Sequence, residues 1–536
     1  MKQKKNIFSP GRQKPAEATE VWKAYERGME YLTRCGLFSR SDECYRFFNG
    51  DQWHGLKTGP EKPPSYNILR PIVEYKLSMV AQNGMSIHYS AMNYGENYED
   101  CTQVCELLNA HAVRTWENLK MDRAVWDLVQ DACVLGDSFA YFYEKKGEIA
   151  MDFVDTTNIL LADEQETDLQ AQKYLLIVQR LNVEDVRRAA RENGIGEDEI
   201  SLICADSDTE GQIGDKAKTE VSSVGEGGKC LSILKLYKKD GCVHICRSVR
   251  NLVYQPETKI TGMTLYPVAQ LSWMREKGSS RGLGEVYYRI PNQIEINKGL
   301  VRLLSGIKQY AFPHIVYDNG ILTRENVNKL SVVGSNIGVS GNRMQKVSDV
   351  VQYMQPAQIN PMAREIIGQM ISQTRELANA GDAVTGQINP EKASGAAIIA
   401  VRDAAALPLN GQVAALKQFV EDVARIWYDM WTAYHPNGMD VLVAPEGEAP
   451  YLTHISPSEL AAVAVQVRVD VSPTNPYSKY ATEQSLQNLY AQQAITFEEF
   501  VRALDEDSSV PKAKLLDILE ARAAAEETGL ENFNQK

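Results

Sequence analysis

Apolar side chains recur at helical spacing in two segments of the second half of the chain. In residues 284–311, which are helical at least from Pro291, an apolar face is centred on Ile296. The same face includes Leu300, Leu303, Leu304, Ile307 and Ala311. The opposite face carries Lys298, Arg302, Ser305 and Gln309. This pattern predicts an amphipathic helix that ends at Pro313.

A second amphipathic helix is predicted after Pro361. Its apolar stripe consists of Met362, Ile366, Met370 and Leu377. Arg364 and Arg375 lie on the opposite side of this helix. The residues between the two helices include several glycines and short apolar runs, which predict a small module of strands and loops.

Alternating patterns elsewhere predict strands mixed with helices, and therefore an α+β fold. Residues 102–136 have the apolar spacing of a helix that ends at Gly136. The aromatic segment after it predicts two strands joined by a turn at Lys145, Lys146 and Gly147. Residues 230–249 predict a hairpin with Asp-Gly at its turn.

The remaining segments are assigned in the same way. Residues 463–473 alternate strictly and predict a strand, and a helical region over 394–434 must kink or break at Pro408. The polar, glycine-rich residues 206–229 predict an insertion loop, and the chain from Asn475 predicts further helices.

Length and charge limit the classes of function. A chain of 536 residues is too long for one core, so several domains are expected. The net charge of −13 does not favour tight binding of nucleic acid. No run of eighteen apolar residues predicts a membrane span, and the basic first twenty residues lack the apolar core of a secretory signal. Nine cysteines, an odd number, indicate reduced thiols in a cytosolic compartment.

One serine lies in a sequence typical of a lipase nucleophile, Gly-Asp-Ser at 136–138. A serine hydrolase using Ser138 would also need an aspartate and a histidine. The single Asp-x-x-His sequence, from Asp51 to His54, precedes the serine, whereas in that class of lipase it follows. A helix end followed by a strand is the favoured interpretation, and we expect no enzymatic activity.

Metal and phosphate sites are not supported by the sequence patterns either. Cys242, His244 and Cys246 lie on one side of a predicted strand, but a zinc site needs about four ligands. Cys101 and Cys105 are interpreted as core residues for the same reason. The segment that ends in Lys229 and Cys230 fails the phosphate-loop pattern. No metal or cofactor is therefore expected.

The segment 44–55, CYRFFNGDQWHG, concentrates four aromatic side chains around Asn49-Gly50. These rings could line a ligand pocket, or they could pack around a turn. The residues by themselves leave both interpretations open.

Four segments, in this order and spacing, resemble the portal proteins of tailed bacteriophages. They are YRFFNGDQW (45–53) with NILRPIVEYKLSMV (67–80), VLGDSFAYFYEKKGEIAMDFVDTTNILLAD (134–163), KGSSRGLGEVYYRIPNQIEINKGLVRLLSGIKQYAFPHIVYD (277–318) and INPEKASGAAIIAVRDAA (388–405). The resemblance extends from about Tyr25 to Leu519, and it favours packing over a ligand pocket for the aromatic segment 44–55. The polar loop at 206–229 has no counterpart in that family.

The resemblance implies a ring subunit with a wing, a two-helix stem, a β-containing clip, a long kinked helix and a helical crown. The implied boundaries are an N-terminal arm at 1–20, a wing at 21–283, a first stem helix at 284–312, a clip at 313–359, a second stem helix at 360–380, a tunnel loop at 381–395, a kinked helix with the return strand of the wing at 396–473, and a crown with the C-terminal tail at 474–536.

The function implied by the resemblance is that of the ring at the head–tail vertex of a virion, assembled in the host bacterial cytoplasm. About twelve copies would surround a channel for double-stranded DNA, bound without sequence specificity. Expected partners are the terminase large subunit, the head–tail adaptor and the major capsid or scaffolding protein, with no membrane partner. Another ring-forming virion connector is the alternative within the same class.

The resemblance also implies where functional residues lie. The candidates for the DNA channel are Lys298, Arg302, Arg364, Arg375, Asp382, Gln387, Asn389 and Lys392. The candidates for partner binding on the clip are Arg343 and Lys346.

Overall fold

The computed structural model of the chain resolves into two compact units. The first comprises Met1–Asn49, Arg70–Tyr288 and Asp382–Lys536, and the second comprises Gly50–Leu69 and Arg289–Gly381. The structure describes residues 16–56, 63–82, 84–92, 98–206, 228–310, 314–318, 320–330, 346–354, 361–380, 407–443, 451–462, 465–472 and 495–504, with shorter stretches within 332–338 and 486–518. Helices and strands are mixed in these residues, which confirms the α+β class.

A five-stranded antiparallel sheet with helices on both faces forms one layer of the first unit. Its strands, in spatial order, are β4 (Ile159–Leu161), β5 (Tyr174–Asn182), β6 (Lys229–Lys239), β7 (Cys242–Val249) and β8 (Leu252–Ile260). The helices α1 (Ala16–Arg34) and α2 (Leu37–Asn49) contribute to the core on one face, and α6 (Val183–Glu192) and α7 (Glu197–Ile200) contribute to the core on the other. Neighbouring residues of β6 illustrate the pleat, since Cys230 belongs to one of these cores and Leu231 to the other.

The predicted hairpins are both present, and their turns use residues with positive φ. In β6–β7 the turn residues Asp240 and Gly241 have φ of 52° and 73°. The strands β2 (Asp137–Lys145) and β3 (Glu148–Val154) meet at Lys146 and Gly147, with φ of 57° and 84°. Positive φ at both central residues is the geometry that matches the twist of two paired strands.

The predicted helix at 102–136 is divided into two. It consists of α4 (Tyr98–Asn118) and α5 (Met121–Leu135), because Lys120 adopts a left-handed conformation with φ of 53°. A single left-handed residue interrupts the backbone hydrogen bonds but leaves the apolar spacing in the sequence almost unchanged. The predicted stop at Gly136 is confirmed by its φ of 113°.

The second layer of the first unit is a three-stranded sheet packed against a long helix. The sheet has the order β3-β2-β9, with β9 at Val268–Ser272. The helix α12 (Asn410–Tyr434) begins after a 3-10 turn at Leu407–Leu409, and its Trp427 packs edge-on against Phe142 of β2. Pro408 therefore precedes the regular helix, and the predicted helical residues before 407 lie outside the described part of the chain.

Three further helices and two antiparallel strand pairs complete the described part of the first unit. The helix α3 (Leu69–Ala81) precedes β1 (Gly84–Ala91), which pairs with β14 (Val465–Ser472), the strand predicted at 463–473. The pair β12 (Met439–Val443) and β13 (Tyr451–Ile455) precedes α13 (Pro457–Ala462), and α14 (Phe497–Ala503) begins with a capping box from Thr496 and Glu499.

The second unit is built around two long helices, α8 (Ile290–Tyr310) and α11 (Pro361–Leu377). Between them lie the strands β10 (His314–Tyr317) and β11 (Val351–Met354), which pair antiparallel, and the short helices α9 (Arg324–Lys329) and α10 (Val347–Val350). Two helices flanking a small β module were predicted from the sequence pattern. Among the described helices, none combines the length and apolar composition needed to cross a bilayer.

The aromatic segment 44–55 is divided between the two units. Phe47 and Phe48 are buried in α2 of the first unit, and Gly50 has a φ of 85° at the predicted turn. Gln52 and Trp53 belong to the second unit, where the indole Nε1 of Trp53 donates to the carbonyl of Pro64 at 3.3 Å. The segment therefore contributes packing residues to one unit and polar contacts to the other.

Acid sensitivity is expected from His111 on α4. Its ring lies 4.8 Å from the Trp431 ring, and its Nδ1 has no hydrogen-bond partner among the described residues. Burial, together with Arg114 and His435, lowers the pKa of His111 from 6.5 to about 4. The unfolded chain therefore binds more protons than the folded chain between these values, so stability is lost as the pH falls through this window.

We expect the free energy of unfolding to fall by about 2 kcal/mol between pH 7 and pH 5 because of His111. The variant His111→Leu should lose this dependence, and His88→Leu, at an exposed position of β1, should keep it. Urea unfolding followed by tryptophan fluorescence at the two pH values measures the difference. An unchanged pH dependence in His111→Leu would contradict the assignment.

Candidate functional site

The helix α8 presents the faces that the sequence predicts. Ile296 is fully buried, and the side chains of Leu300, Leu303 and Leu304 are half-buried. Lys298 and Arg302 are exposed, and Lys298 forms an ion pair with Glu295 at 2.9 Å. Two of the candidate channel residues therefore lie together, one turn apart, on the solvent face of α8.

Two carboxamides of α8 bind the chain at Gln52–Ile68. Gln293 accepts a hydrogen bond from the Ile68 amide at 3.1 Å and donates to the Tyr66 carbonyl at 2.7 Å. Asn297 accepts from the Tyr66 amide at 3.0 Å and donates to the side chain of Gln52. The two side chains thus make the backbone hydrogen bonds that a neighbouring strand would make.

The sequence pattern does not predict this polar contact. Gln293 and Asn297 are 0% and 2% exposed, although amides at such spacing are usually solvent-facing. A signal was present, because the two residues are four apart and border the apolar face around Ile296. Nothing in the sequence, however, identifies an extended segment more than two hundred residues away as the partner.

The helices α8 and α11 pack antiparallel. Arg289 donates to the carbonyl of Leu377 at 3.2 Å, and Asn292 donates to Thr374 at 3.4 Å. Further along, a Cβ placed on Gly299 would lie 3.2 Å from Ile367. Each step forward along α8 is thus matched by an equal step back along α11, and Gly299 allows the close approach.

The face of α11 that meets α8 is not its main apolar stripe. Ile367 and Thr374 are the buried residues of α11. Met362, Ile366 and Leu377 are 60%, 49% and 73% exposed. The predicted stripe therefore exists, but it is rotated away from α8, because Ile367 rather than Ile366 fits against Gly299.

Helical geometry places basic and apolar side chains on opposite flanks of both helices. At about 100° per residue, Met362, Ile366 and Leu377 lie on one side of the line through Ile367 and Thr374. Arg364 and Arg375 lie on the other side of that line.

On α8, the line of contact with α11 passes through Gly299. Leu300, Leu303 and Ile307 lie on one side of this line, and Lys298 and Arg302 lie on the other. Because the helices are antiparallel, their apolar flanks face opposite sides of the helix pair. Each side of the pair therefore combines an apolar flank from one helix with a basic flank from the other.

The other candidate residues are placed as follows. Arg364 and Lys346 are exposed, and Arg375 is half-buried. Arg343, Asp382, Gln387, Asn389 and Lys392 lie outside the described residues, as does the predicted tunnel loop at 381–395.

The Gly-Asp-Ser segment at 136–138 belongs to a buried polar cluster of the first unit. Asp137 accepts hydrogen bonds from the Ser272 hydroxyl at 2.6 Å and from the Gly282 amide at 2.7 Å. Burial raises the pKa of Asp137, although these bonds and the charge of Arg281 act in the opposite direction. The aspartate thus holds the segment around Gly282 against the start of β2.

Arg281 is bound on all sides within the same cluster. Its guanidinium donates twice to Glu164, at 2.8 Å for each bond, and once each to the carbonyls of Thr156 and Ile159. A Cβ on Gly136 would lie 2.4 Å from the Gly282 carbonyl oxygen, so the two chains cross at backbone distance. The Gly-Asp-Ser segment therefore forms the point at which the chain at 136–138 packs directly against the chain at Gly282.

Ser138 lies within this crossing. It is 3% exposed, and its Oγ has no hydrogen-bond partner among the described residues. Asp51 and His54 contact each other at 3.4 Å in the second unit. The hydroxyl of Ser138 is not accessible to a substrate in this conformation.

The residues considered as metal ligands are buried, apart from Cys242, which is half-buried. Cys246 packs against α1, and His244 stacks on Tyr237 with ring centroids 5.5 Å apart. Cys101 and Cys105 of α4 are buried. Within the described part of the chain, no three His, Cys, Asp or Glu side chains form a group that could hold a metal ion.

Comparison with known proteins gives structural similarities but no family or curated relative. No protein-family model matches the chain, and no curated protein matches it. A solved chain described as "Virion of native gene transfer agent (GTA) particle" is similar at 10% identity, with a TM-score of 0.40, and the alignment covers 87% of this chain and 92% of that chain. Neither fold nor function carries over at this degree of similarity.

The carboxamide contact gives a stability prediction for the second unit. We expect Gln293→Leu to cost about 2–3 kcal/mol, because it leaves the buried Ile68 amide without a partner and removes the hydrogen bond to the Tyr66 carbonyl. The matched control is Asn292→Leu, whose amide makes only the 3.4 Å contact to Thr374, and it should cost less than about 1 kcal/mol. Urea unfolding measures both costs, and equal costs would show that the hydrogen bonds to 66–68 are not the cause.

Proposed function

We propose that this chain is a virion portal protein, a ring-forming conduit for double-stranded DNA at the head–tail vertex. The observation that supports this proposal is the α8–α11 helix pair, whose two sides are different and complementary. Apolar side chains that a single copy leaves exposed need a partner. A partner made of the same chain fits, because the apolar flank of α11 can cover the apolar flank of α8 in the next copy.

Such a contact is heterologous, since one copy uses α11 and its neighbour uses α8. Contacts of this kind generate closed rings when the rotation between copies closes. When α11 of one copy covers the apolar flank of α8 in its neighbour, the two copies are displaced from each other by the width of one helix. Lys298 and Arg302 therefore stay uncovered, and repetition around a ring would multiply these two charges.

The charge distribution suits a channel that passes DNA without holding it. The chain has a net charge of −13, whereas α8 and α11 together carry five basic and three acidic side chains. Sparse basic groups contact phosphates without reading bases, and each contact adds affinity that salt weakens. In this proposal the clip binds the terminase and later the head–tail adaptor, and the ring joins the capsid in the virion.

Assembly tests the proposed contact. We expect Ile366→Asp to prevent large oligomers, because it places a charge inside an apolar contact between copies. Gln369→Asp, at an exposed position of α11 that points away from α8, is the matched control and should assemble like the wild type. Sedimentation velocity and negative-stain images report the oligomers, and intact rings of Ile366→Asp would contradict the contact.

A second substitution identifies the partner helix. Adding Leu303→Lys to Ile366→Asp should partly restore rings at low salt, because the two charges meet only between copies. Within one copy they lie on opposite sides of the helix pair, so the pair cannot form there. If the double variant does not assemble while Leu303→Lys alone still does, the apolar stripe of α11 contacts a surface other than α8.

DNA binding distinguishes a conduit from another ring-forming connector. We expect rings of Lys298→Glu with Arg302→Glu to assemble normally but to bind duplex DNA more weakly, with a shallower dependence on salt. Lys120→Glu with Lys145→Glu, at exposed positions of the first unit, makes the same charge change and should bind as the wild type. Fluorescence anisotropy with duplexes of two unrelated sequences measures this, and unchanged binding would favour a connector that does not contact DNA at α8.

A further inference from the structure

The three-stranded sheet of the first unit has two edges, and contacts within the chain close one of them. Along β9, the side-chain amide of Gln170 accepts from the Tyr266 amide at 2.7 Å and donates to the Tyr266 carbonyl at 3.0 Å. Val268 is 1% exposed, and the carbonyl of Met274 accepts from Leu283 at 2.8 Å. The edge at β9 is therefore occupied, which leaves the opposite edge of the sheet, at β3.

The hydrogen bonds of β2 determine which backbone groups of β3 point outward. Phe142 donates to the carbonyl of Pro267 at 2.8 Å, so the backbone of Phe142 faces β9. Successive residues of a strand direct their backbone groups to opposite sides, so Tyr143 faces β3, where its partner is Ala150. Every second residue of β3, counted from Ala150, therefore binds β2. The residues between them direct their amides and carbonyls away from the sheet, and these are Ile149, Met151 and Phe153.

The outward edge of β3 is both unpaired and accessible. The amides and carbonyls of Ile149, Met151 and Phe153 form no hydrogen bond among the described residues. Phe153 is 49% exposed, and the other two residues are half-buried. An accessible strand edge with a row of unpaired backbone groups is a template for pairing with another chain.

The side chains of β3 differ between the two faces of the sheet. Its three outward residues all carry apolar side chains on the face that packs against α12. Phe142, the register partner of Met151, lies on this face and contacts Trp427 of α12. Because side chains alternate along a strand, Glu148 and Asp152 lie on the opposite face. The open edge therefore has an apolar row on one face and an acidic row on the other.

The two carboxylates of the acidic row are available to a basic partner. Asp152 accepts a hydrogen bond from the hydroxyl of Tyr143 at 3.3 Å and forms no ion pair among the described residues. Glu148 lies 3.7 Å from Arg114, with 53% and 44% of the two side chains exposed, and such an ion pair contributes little. Lys145 is the register partner of Glu148, but it lies on β2, on the side away from the open edge.

We propose that the edge of β3 binds an extended segment of another protein in which apolar residues alternate with Lys or Arg. The segment adds a fourth strand to the sheet, and its main chain pairs with Ile149, Met151 and Phe153. Its apolar side chains continue the row that packs against α12, and its basic side chains lie beside Glu148 and Asp152. In recognition by strand addition, backbone hydrogen bonds supply affinity, and cross-strand side-chain pairs supply specificity.

This binding does not depend on the proposed contact between α8 and α11 of neighbouring copies. All residues of β3 belong to the first unit, whereas both helices lie in the second unit. A failure of the ring contact therefore leaves the binding at β3 testable, and the reverse also holds.

A proline on the open edge tests the strand pairing. The amide of Phe153 points outward, so Phe153→Pro removes a donor from the edge and leaves the hydrogen bonds to β2 in place. Phe153→Val is the matched control, because it also loses the ring but keeps the amide. A phage-displayed library of random peptides is selected on the full-length wild type and counter-selected on Phe153→Pro. We expect enriched sequences in which apolar residues alternate with Lys or Arg.

The affinity of a synthetic consensus peptide, measured by fluorescence anisotropy, separates backbone pairing from charge. Phe153→Val should bind the peptide about ten-fold more tightly than Phe153→Pro, because only the valine variant keeps the hydrogen bond. Asp152→Asn should weaken binding about three-fold. Asp127→Asn, the same change at an exposed position of α5, should bind as the wild type. Equal affinities for the proline and valine variants, or unchanged binding by Asp152→Asn, would contradict the proposal.

Two further measurements use the wild-type protein and do not depend on the folding of a variant. N-methylation of the consensus peptide should weaken binding at alternate positions only, because an added strand directs every second amide to its partner. Bound peptide should also slow hydrogen exchange in residues 148–154 of the full-length protein. The proposal is wrong if no peptide is enriched on the wild type over Phe153→Pro. It is also wrong if N-methylation has no alternating effect, or if exchange in 148–154 is unchanged by a bound peptide.

Discussion

A polar group that is buried must find its partner inside the protein, and this constraint holds together a cluster of side chains and backbone in each unit. In the first unit, Arg281 is 5% exposed, and its guanidinium donates hydrogen bonds to Glu164 and to two backbone carbonyls. In the second unit, the buried side chains of Gln293 and Asn297 form hydrogen bonds with the backbone of residues 66–68. Removing one partner from such a cluster leaves the other buried and unpaired, which costs far more than the contact itself contributes.

Side chains in both units bind an extended backbone. Asp137 binds the Gly282 amide, Gln293 binds Tyr66 and Ile68, and Gln170 binds Tyr266. Each arrangement connects residues that are distant in the sequence. A single side chain thus makes hydrogen bonds that would otherwise need an additional strand. The glycines at 136, 282 and 284 make the tightest of these approaches possible, because a Cβ at any of them would overlap a carbonyl oxygen.

The proposed function depends on a different property, which is apolar surface that the chain leaves exposed on α11 and only half-buried on α8. One flank of α8 and one flank of α11 are apolar, and the antiparallel packing turns them to opposite sides of the pair. A symmetric dimer would use one of these sides twice, whereas a ring uses each side once. In such a ring, α11 of one copy covers only the apolar flank of α8 in the next copy. The basic flank of α8 therefore stays uncovered and could line a path for DNA.

The sequence by itself determined the elements whose signals are local. Periodicity located α8, α11 and β14, and the turn residues Lys146-Gly147 and Asp240-Gly241 located two hairpins, because spacing and backbone preference act between near neighbours. Tertiary structure alone decided that Ile367 rather than Ile366 faces α8, that Lys120 divides a helix, and that Gln52 and Gln293 are buried. These outcomes depend on which distant surface a residue meets, and the energy of such a contact is not encoded in the spacing of the residues around it.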